Sequence, residues 1–251
     1  MNYLRKILER ASRGKILKRS LTVGGYQVPI FVSPDAQLKY WKPGDQFDRD
    51  LIQLAEQQIK PTDVVWDIGA NIGVFTFAVN SILKEGEVVA VEADTFLVGL
   101  LRRTALLAFH ANSKISVLPA AVSNENGIAT FTVAQRGRAS NSLEAVAEHS
   151  QAGGVREFQY VPTVSLDAML NYFTPPDFVK VDVEGAELLV IDGANKLITD
   201  YKPKFYVEVG QQHSKEIFER FRAAGYTAYD PAGSVLRDGC AFNTLFLPEK
   251  A

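Results

Sequence analysis

Two acids at the ends of two apolar runs are the side chains of this sequence best placed to do chemistry. Residues 63–73 read DVVWDIGANIG. Asp63 to Trp66 suits a buried parallel strand. Asp67 follows, Gly69 and Gly73 break the chain into a loop, and Val74 to Val79 resume at helical spacing. A strand, a glycine turn and a helix N-terminus aim backbone N–H groups at a ligand, and glycine lets the backbone approach it closely. The spacing is D-x-G-x-N-x-G, with Asn71 where the dinucleotide fingerprint has its second glycine. A carboxylate at that point repels a pyrophosphate. It suits a cationic ligand with an amino-acid end, such as the ammonium and sulfonium of S-adenosylmethionine. Further on, VVAVEAD ends a second strand in Glu92, whose carboxylate can accept from both hydroxyls of a ribose. Asp67 and Glu92 thus read as the two acids of a nucleoside site for S-adenosylmethionine. NAD or a ligand-free turn are the alternatives.

A second cluster lies in DFVKVDVEGAE, residues 177–187. Phe178 to Val183 should be a central parallel strand, apolar on both faces, yet Lys180, Asp182 and Glu184 occupy alternate positions. Buried charge is costly without a partner, so these residues either serve a ligand or pair with each other. Glu187 reads as a first-turn acid favoured by the helix dipole. The run KFYVEVG puts Glu208 at another strand end, with His213 in the adjoining loop. Asp182, Glu184, Glu208 and His213 could deprotonate a hydroxyl. The three acids could instead hold a divalent cation such as magnesium through oxygen ligands. His110 and His149 suggest no role.

These residues need a scaffold, and β–α alternation supplies one. Strands are expected at 63–67, 87–92, 115–118, 178–182 and 205–209, and helices at 74–83, 95–111, 185–198 and 214–224. This argues for a doubly wound, parallel α/β sheet. Segments 226–229 and 243–247 should close it as an antiparallel pair. Ahead of this, Leu21 to Val32 reads as two strands around a Gly-Gly turn, residues 34–49 as a polar, aromatic-rich loop, and Asp50 to Ile59 as a helix. Residues 128–164 interrupt the alternation with two extra strands around a Gly-, Ser- and Asn-rich segment, an inserted hairpin and loop of the kind that forms lids or substrate walls. The division is therefore an extension over 1–46 and a catalytic-type domain over 47–251.

The 251 residues are 47% hydrophobic with a net charge of −2, enough for one sizeable core and no general reason to bind nucleic acid. Cys240 is the single cysteine, which excludes an internal disulfide. No apolar run is long enough to span a membrane, and no signal-type segment follows the start, so a cytoplasmic protein is expected. Residues 1–20 hold seven Lys/Arg and one acid, with Leu4, Ile7, Leu8 and Ala11 at helical spacing. This amphipathic segment could pack on the domain, meet a partner or second copy, or touch a membrane surface.

The sequence resembles the FkbM family of S-adenosylmethionine-dependent methyltransferases. DVVWDIGANIGVFT, VVAVEAD, AAVSNENG, SNSL, VPTVSLDAML, FVKVDVEGAELLVIDGA and KPKFYVEVG carry the resemblance in order. It implies a class I methyltransferase, Rossmann-like sheet of seven strands with a reversed final strand, and O-methylation of a small molecule or sugar. Methylation of nitrogen or of a macromolecule, and a non-catalytic cofactor-binding module, remain open. By this resemblance Asp67, Gly69, Asn71 and Gly73, with Ala70 among them, form the cofactor loop. Glu92 is the ribose acid, followed by Ala93 where a proline is common. Ser123 lies near the adenine, and Phe47-Asp48 resembles an aromatic–acid pair ahead of the domain. Asn141 and Ser142 match a polar pair near the site, and Lys180, Asp182 and Glu184 match the KxDxEG signature. Asp182 is the first choice for base or metal ligand, with Glu184, Glu208 and His213 behind it.

Overall fold

The structure, a computed structural model, describes residues 8, 11–42, 47–107, 114–135, 138, 142–143 and 154–249. Strands β1 (Leu17–Val23) and β2 (Tyr26–Val32) form an antiparallel hairpin. Gly24 and Gly25 both take positive φ at its tip, the conformation that glycine adopts without steric cost. A 3-10 turn, Leu38–Trp41, and helix α1 (Arg49–Gln58) lead into the sheet. There follow β3 (Val64–Ile68), α2 (Val74–Ile82), β4 (Glu87–Glu92), α3 (Thr95–Leu107) and β5 (Lys114–Pro119). The insert contributes β6 (Ala121–Val122), β7 (Gly127–Ala134), β8 (Ser142–Leu143) and β9 (Val155–Val164). The chain returns through α4 (Leu166–Met169), β10 (Phe178–Val181), α5 (Glu187–Asp192), β11 (Lys204–Glu208), α6 (Ser214–Ala223), β12 (Tyr226–Tyr229) and β13 (Asn243–Pro248).

The main sheet has seven strands in the order β12-β13-β11-β10-β3-β4-β5. Only β13 runs against its neighbours β11 and β12; the other pairings are parallel. This is the class I methyltransferase arrangement with its reversed closing strand. Alternation along the strands splits the core in two. Val65, Val88, Ala90 and Phe178 pack with α2 and the N-terminal hairpin. Trp66, Ile68, Val89, Val91, Val179 and Val181 pack with α5 and α6 on the other face. Burial on both faces explains why these strands read as continuous apolar runs. The hairpin joins the first of these clusters through Leu21, Val23, Ile30 and Val32, and the Phe31 N–H donates to Thr104 Oγ1 on α3 at 3.0 Å.

Three details differ from the sequence expectation. The helix expected over 185–198 is divided into α5 and a π-helical turn, Leu197–Tyr201. The Asp167 carboxylate accepts from the N–H groups of Lys196 and Leu197, each at 2.9 Å, and so starts the second piece. The insert is more than a hairpin: β7 and β9 pair with β6 and β8 in a separate four-stranded sheet, β6-β9-β7-β8. β10 stops at Val181, so Asp182 and Glu184 lie beyond the strand and Glu184 takes a left-handed φ of 48°. Residues 1–7, 9–10 and 108–113 lie outside the described residues, and with them most of the amphipathic segment, the end of the 95–111 helix and His110. No helix among the described residues is long and apolar enough to cross a membrane.

Strand order reverses between β3 and β10, so the loops after them part and leave a crevice. Gly69 sets how closely these two strand ends approach. It has φ of 73°, and a Cβ added there would lie 1.9 Å from the Asp182 carbonyl oxygen. Gly69→Ala should therefore lose roughly 3 kcal/mol of stability or more, measured by urea unfolding. An unchanged midpoint would show that the two strand ends tolerate a wider separation.

Candidate functional site

The crevice opens into a cavity of about 380 Å³ at the C-terminal ends of β3, β4, β10 and β11, within the size range of small-molecule sites. Beneath it lies a buried charge pair. Lys180 and Asp67 are register partners on β10 and β3. Lys180 Nζ lies 3.2 Å from Asp67 Oδ1 and 3.4 Å from Asp182 Oδ2. Thr76 on α2 donates to Asp67 Oδ2 at 2.5 Å. Burial alone would lower the pKa of Lys180, but Asp67 and Asp182 outweigh it and raise it. Lys180 therefore stays charged.

This arrangement corrects the expectation for Asp67. Its side chain is 0% exposed and does not line the cavity. Its charge is spent on Lys180 and the Thr76 hydroxyl rather than on a ligand's ammonium. The glycine loop lies above it. The N–H groups of Gly69 and Ala70 both donate to the Val91 carbonyl at 3.0 Å, which ties the loop to β4. Asn71 has φ of 55°, and its side-chain oxygen accepts from the Ile72 N–H at 2.8 Å. Gly69 and Asn71 line the main cavity, and Ala70 lines a small side recess with Asp48 and Tyr40. Gly73 does neither. A Cβ there would strike the Phe77 and Leu101 side chains at 2.5 and 2.6 Å, so this glycine serves the packing of α2 against α3.

Glu92 ends β4 on the cavity wall. Its Oε2 accepts from the Asn71 N–H and its Oε1 from the Asp94 N–H, both at 2.8 Å. Burial pushes its carboxyl up to about 7, against the lowering effect of those bonds. Each oxygen keeps a second lone pair, so the acid is fixed in place with acceptor capacity left over. Next to it Ala93, Ala121, Val122, Phe131, Leu143, Val183 and Ala186 form an apolar slot, much of it one hydrophobic cluster shared by β4 and the insert. Ser123 was expected here, but it is buried away from the cavity, its N–H on the Val164 carbonyl and its hydroxyl on Asn124. The preceding residues Ala121 and Val122 line the cavity instead.

The far side of the cavity is acidic. Asp182, Glu184 and Glu208 bring one carboxylate oxygen each to within 4.8 Å of one another. The left-handed turn at Glu184, rather than strand alternation, carries it there. Burial, then Asp182 and Glu184, push the Glu208 carboxyl up to about 8. Burial, then Asp182, push Glu184 up to about 7. Glu187 stands in the first turn of α5 as expected, and it is buried, its Oε1 accepting from the Gly185 N–H at 2.7 Å. His213 ends a 3-10 turn and does not line the cavity. Asp48 does line it, held by Lys39 and by the Tyr40 hydroxyl at 2.9 Å. Phe47 packs edge-on against Tyr40, which fixes the aromatic–acid pair. Asn141 and His149 lie outside the described residues; Ser142 belongs to β8.

Sequence reasoning missed Gln37, Asp50, Tyr206, Asn243 and Arg138, all of which line the cavity. Tyr206 was signalled by its place two residues before Glu208 on the same face. Asn243 is the register partner of Glu208 on the reversed strand, a relation invisible before the sheet is assembled. Arg138 sat in a stretch read only as loop.

Residues 67–228 match the family described as the methyltransferase FkbM domain. No curated protein matches. Among solved structures, the methyltransferase FkbM from Methylobacillus flagellatus KT is 15% identical with a TM-score of 0.48, over 75% of this chain. The chain spans 44% of that protein's length. M. jannaschii TYW2 in complex with AdoMet is 13% identical with a TM-score of 0.47, over 93% of this chain and 84% of that one. The T. thermophilus 16S rRNA N2 G1207 methyltransferase, in complex with AdoMet and guanosine, is 12% identical with a TM-score of 0.46, over 94% of this chain and 51% of that one. With the family match spanning more than half its residues, the chain belongs to the FkbM methyltransferase domain family.

Proposed function

We propose that this protein transfers a methyl group from S-adenosylmethionine to a hydroxyl of a small molecule or sugar. The observation that carries this reading is one cavity with two unlike halves: an apolar slot beside Glu92, and a rim of acids at Asp182, Glu184 and Glu208. The donor supplies an electrophilic methyl on a sulfonium, with a neutral thioether as leaving group. Glu92 would take the ribose hydroxyls, the slot formed by Ala93, Val122, Phe131 and Leu143 the adenine, and Gly69, Asn71 and Asp48 the amino-acid end. A negative lining suits the net positive charge of such a donor.

In-line displacement asks the protein mainly for alignment, and a hydroxyl nucleophile additionally asks for a base. Asp182 was the first choice. Its Oδ2 lies 3.4 Å from Lys180, so that contact already engages it. The Glu208 side chain makes no hydrogen bond among the described residues, and its carboxyl, pushed up to about 8, is tuned for taking a proton near neutral pH. We therefore assign the base to Glu208 and acceptor alignment to Asp182. Lys180 and Arg138, the cations lining the cavity, are each matched to buried acids. That leaves an acidic rim, which favours an uncharged acceptor and disfavours a nucleic-acid backbone.

The separation of the three carboxylates also supports a second reading, in which they hold a divalent cation. Oxygen ligands of this kind suit magnesium or calcium, and the cation would acidify the hydroxyl in place of a base.

Calorimetry with S-adenosylhomocysteine should give saturable binding, weakened about tenfold or more by Glu92→Ala through loss of charge-assisted bonds; equal affinity would remove Glu92 from the donor site. With an accepted substrate, a chelator should leave turnover unchanged, and a loss restored by magnesium would favour the cation reading. In chelator-containing buffer, stability should fall as pH rises from about 4.5 to 8. Glu208 titrates near 4.5 when unfolded and near 8 when folded, so in that window the native state binds more protons. Glu184 and Glu92 act with the same sign. Glu208→Gln should flatten this fall in thermal melts, and a slope unchanged by the substitution would contradict the raised carboxyl.

A further inference from the structure

Arg138 is only 7% exposed although it comes from the inserted segment rather than from the main sheet. Its Nη1 donates to both oxygens of Asp94, at 2.8 and 2.5 Å. Its Nε lies 3.4 Å from Asp35 Oδ2, and its own N–H donates to the Asp35 carbonyl at 3.2 Å. The guanidinium also lies over the Phe96 ring, 4.6 Å from its centroid. Asp94 follows Glu92 by two residues, and its N–H is one of the two bonds that orient the Glu92 carboxylate. On the other side, Asp35 holds Arg156 of β9 at 2.8 Å. A continuous chain of contacts thus runs from Glu92 through the Asp94 backbone N–H and then by ion pairs from the Asp94 carboxylate through Arg138 and Asp35 to Arg156. It joins the end of β4 to the first part of the insert and to its returning strand. Phe131 of β7 and Leu143 of β8, register partners in the sheet of the insert, are the insert side chains that wall the apolar slot beside Glu92.

We propose that Arg138 is a positioning residue for the methyl donor: a clasp that holds the insert against β4, so that Phe131 and Leu143 close over the nucleoside and Glu92 keeps its orientation. This rests on the reading of Glu92 and its neighbouring slot as the nucleoside site. The planar guanidinium bridges two carboxylates, Asp94 through Nη1 and Asp35 through Nε, which fixes direction as well as distance, and a lysine reproduces the charge but not the geometry. Donor affinity should therefore depend on the shape of residue 138 and not on its charge alone. The Arg138 contacts with Asp94 and Asp35 span sequence separations of 44 and 103 residues, so the clasp forms only when the insert has docked.

The test is calorimetric titration of S-adenosylhomocysteine into the full chain carrying Arg138→Ala, Arg138→Lys, Leu143→Ala, or Arg138→Ala with Leu143→Ala. Phe221→Leu, buried in the opposite core, serves as a control for lowered stability. The expected result is a Kd raised about tenfold by Arg138→Ala, only partly recovered by Arg138→Lys, and unchanged by Phe221→Leu. Because both residues act through the same slot, the double variant should weaken binding by clearly less than the product of the two single factors. Arg138→Lys, compared with wild type, carries the test if the alanine variant does not fold. An unchanged Kd in either Arg138 variant overturns the clasp, as do multiplicative effects of Arg138→Ala and Leu143→Ala. No binding by the wild-type chain would instead overturn the donor-site reading on which the clasp rests.

Discussion

A lysine and an aspartate, side by side in the middle of a parallel sheet, set the terms for everything around them. Lys180 is 2% exposed and Asp67 is fully buried. Neither position would be tolerated alone, since removing one partner strands an uncompensated charge at a cost of about 3–5 kcal/mol. They are tolerated together because parallel pairing of β10 with β3 makes them register partners, and because Thr76 satisfies the remaining carboxylate oxygen. The pair sits where strand order reverses, at the floor of the crevice that the topology opens. Its second effect is directional: Lys180 also reaches Asp182 and the Gly69 carbonyl, which ties the glycine loop to the acidic turn across the cavity.

From that floor the cavity divides by the nature of its walls. Toward β4 and the insert the lining is apolar, with Glu92 as a fixed polar handle. Toward β10, β11 and β13 it is acidic and hydrogen-bonding. The acids there are buried and crowd one another, and both effects raise the Glu184 and Glu208 carboxyls; Asp182 is held beside Lys180. A proton, a cation or a positively charged donor relieves that crowding, and each would draw the three side chains toward a common point. The insert complicates this division, because it belongs to the apolar half by its side chains and is fastened there by ions.

Much of this was legible in the sequence where the physics is local. Apolar runs gave the strands, Asp67 with Gly69 and Asn71 gave the loop, and Glu92 and Glu208 announced themselves as acids at strand ends. The local signals misled where a residue's partner is remote. Asp67 looked like a ligand-facing acid because its neutralising lysine is 113 residues away. Gly73 looked like part of a ligand cradle because Leu101, which it makes room for, lies on another helix. Ser123 lies one residue beyond Ala121 and Val122, which line the cavity, and strand alternation was invoked for Glu184 where a left-handed turn does the work. Arg138, surrounded by Gly, Ser and Asn, had no pattern to mark it. Its meaning comes from Asp94 and Asp35, which only the folded chain brings to it.

The central claim is that one cavity, floored by the Lys180–Asp67 pair, holds a nucleoside at Glu92 and presents its sulfur to the acids opposite. A crystal structure of the protein grown with S-adenosylhomocysteine tests this most directly. The expected result is ribose hydroxyls within hydrogen-bonding distance of both Glu92 oxygens, the adenine among Val122, Phe131 and Leu143, and the sulfur facing Asp182 and Glu208. A ligand seated elsewhere, or a crevice left empty at saturating concentration, would contradict it.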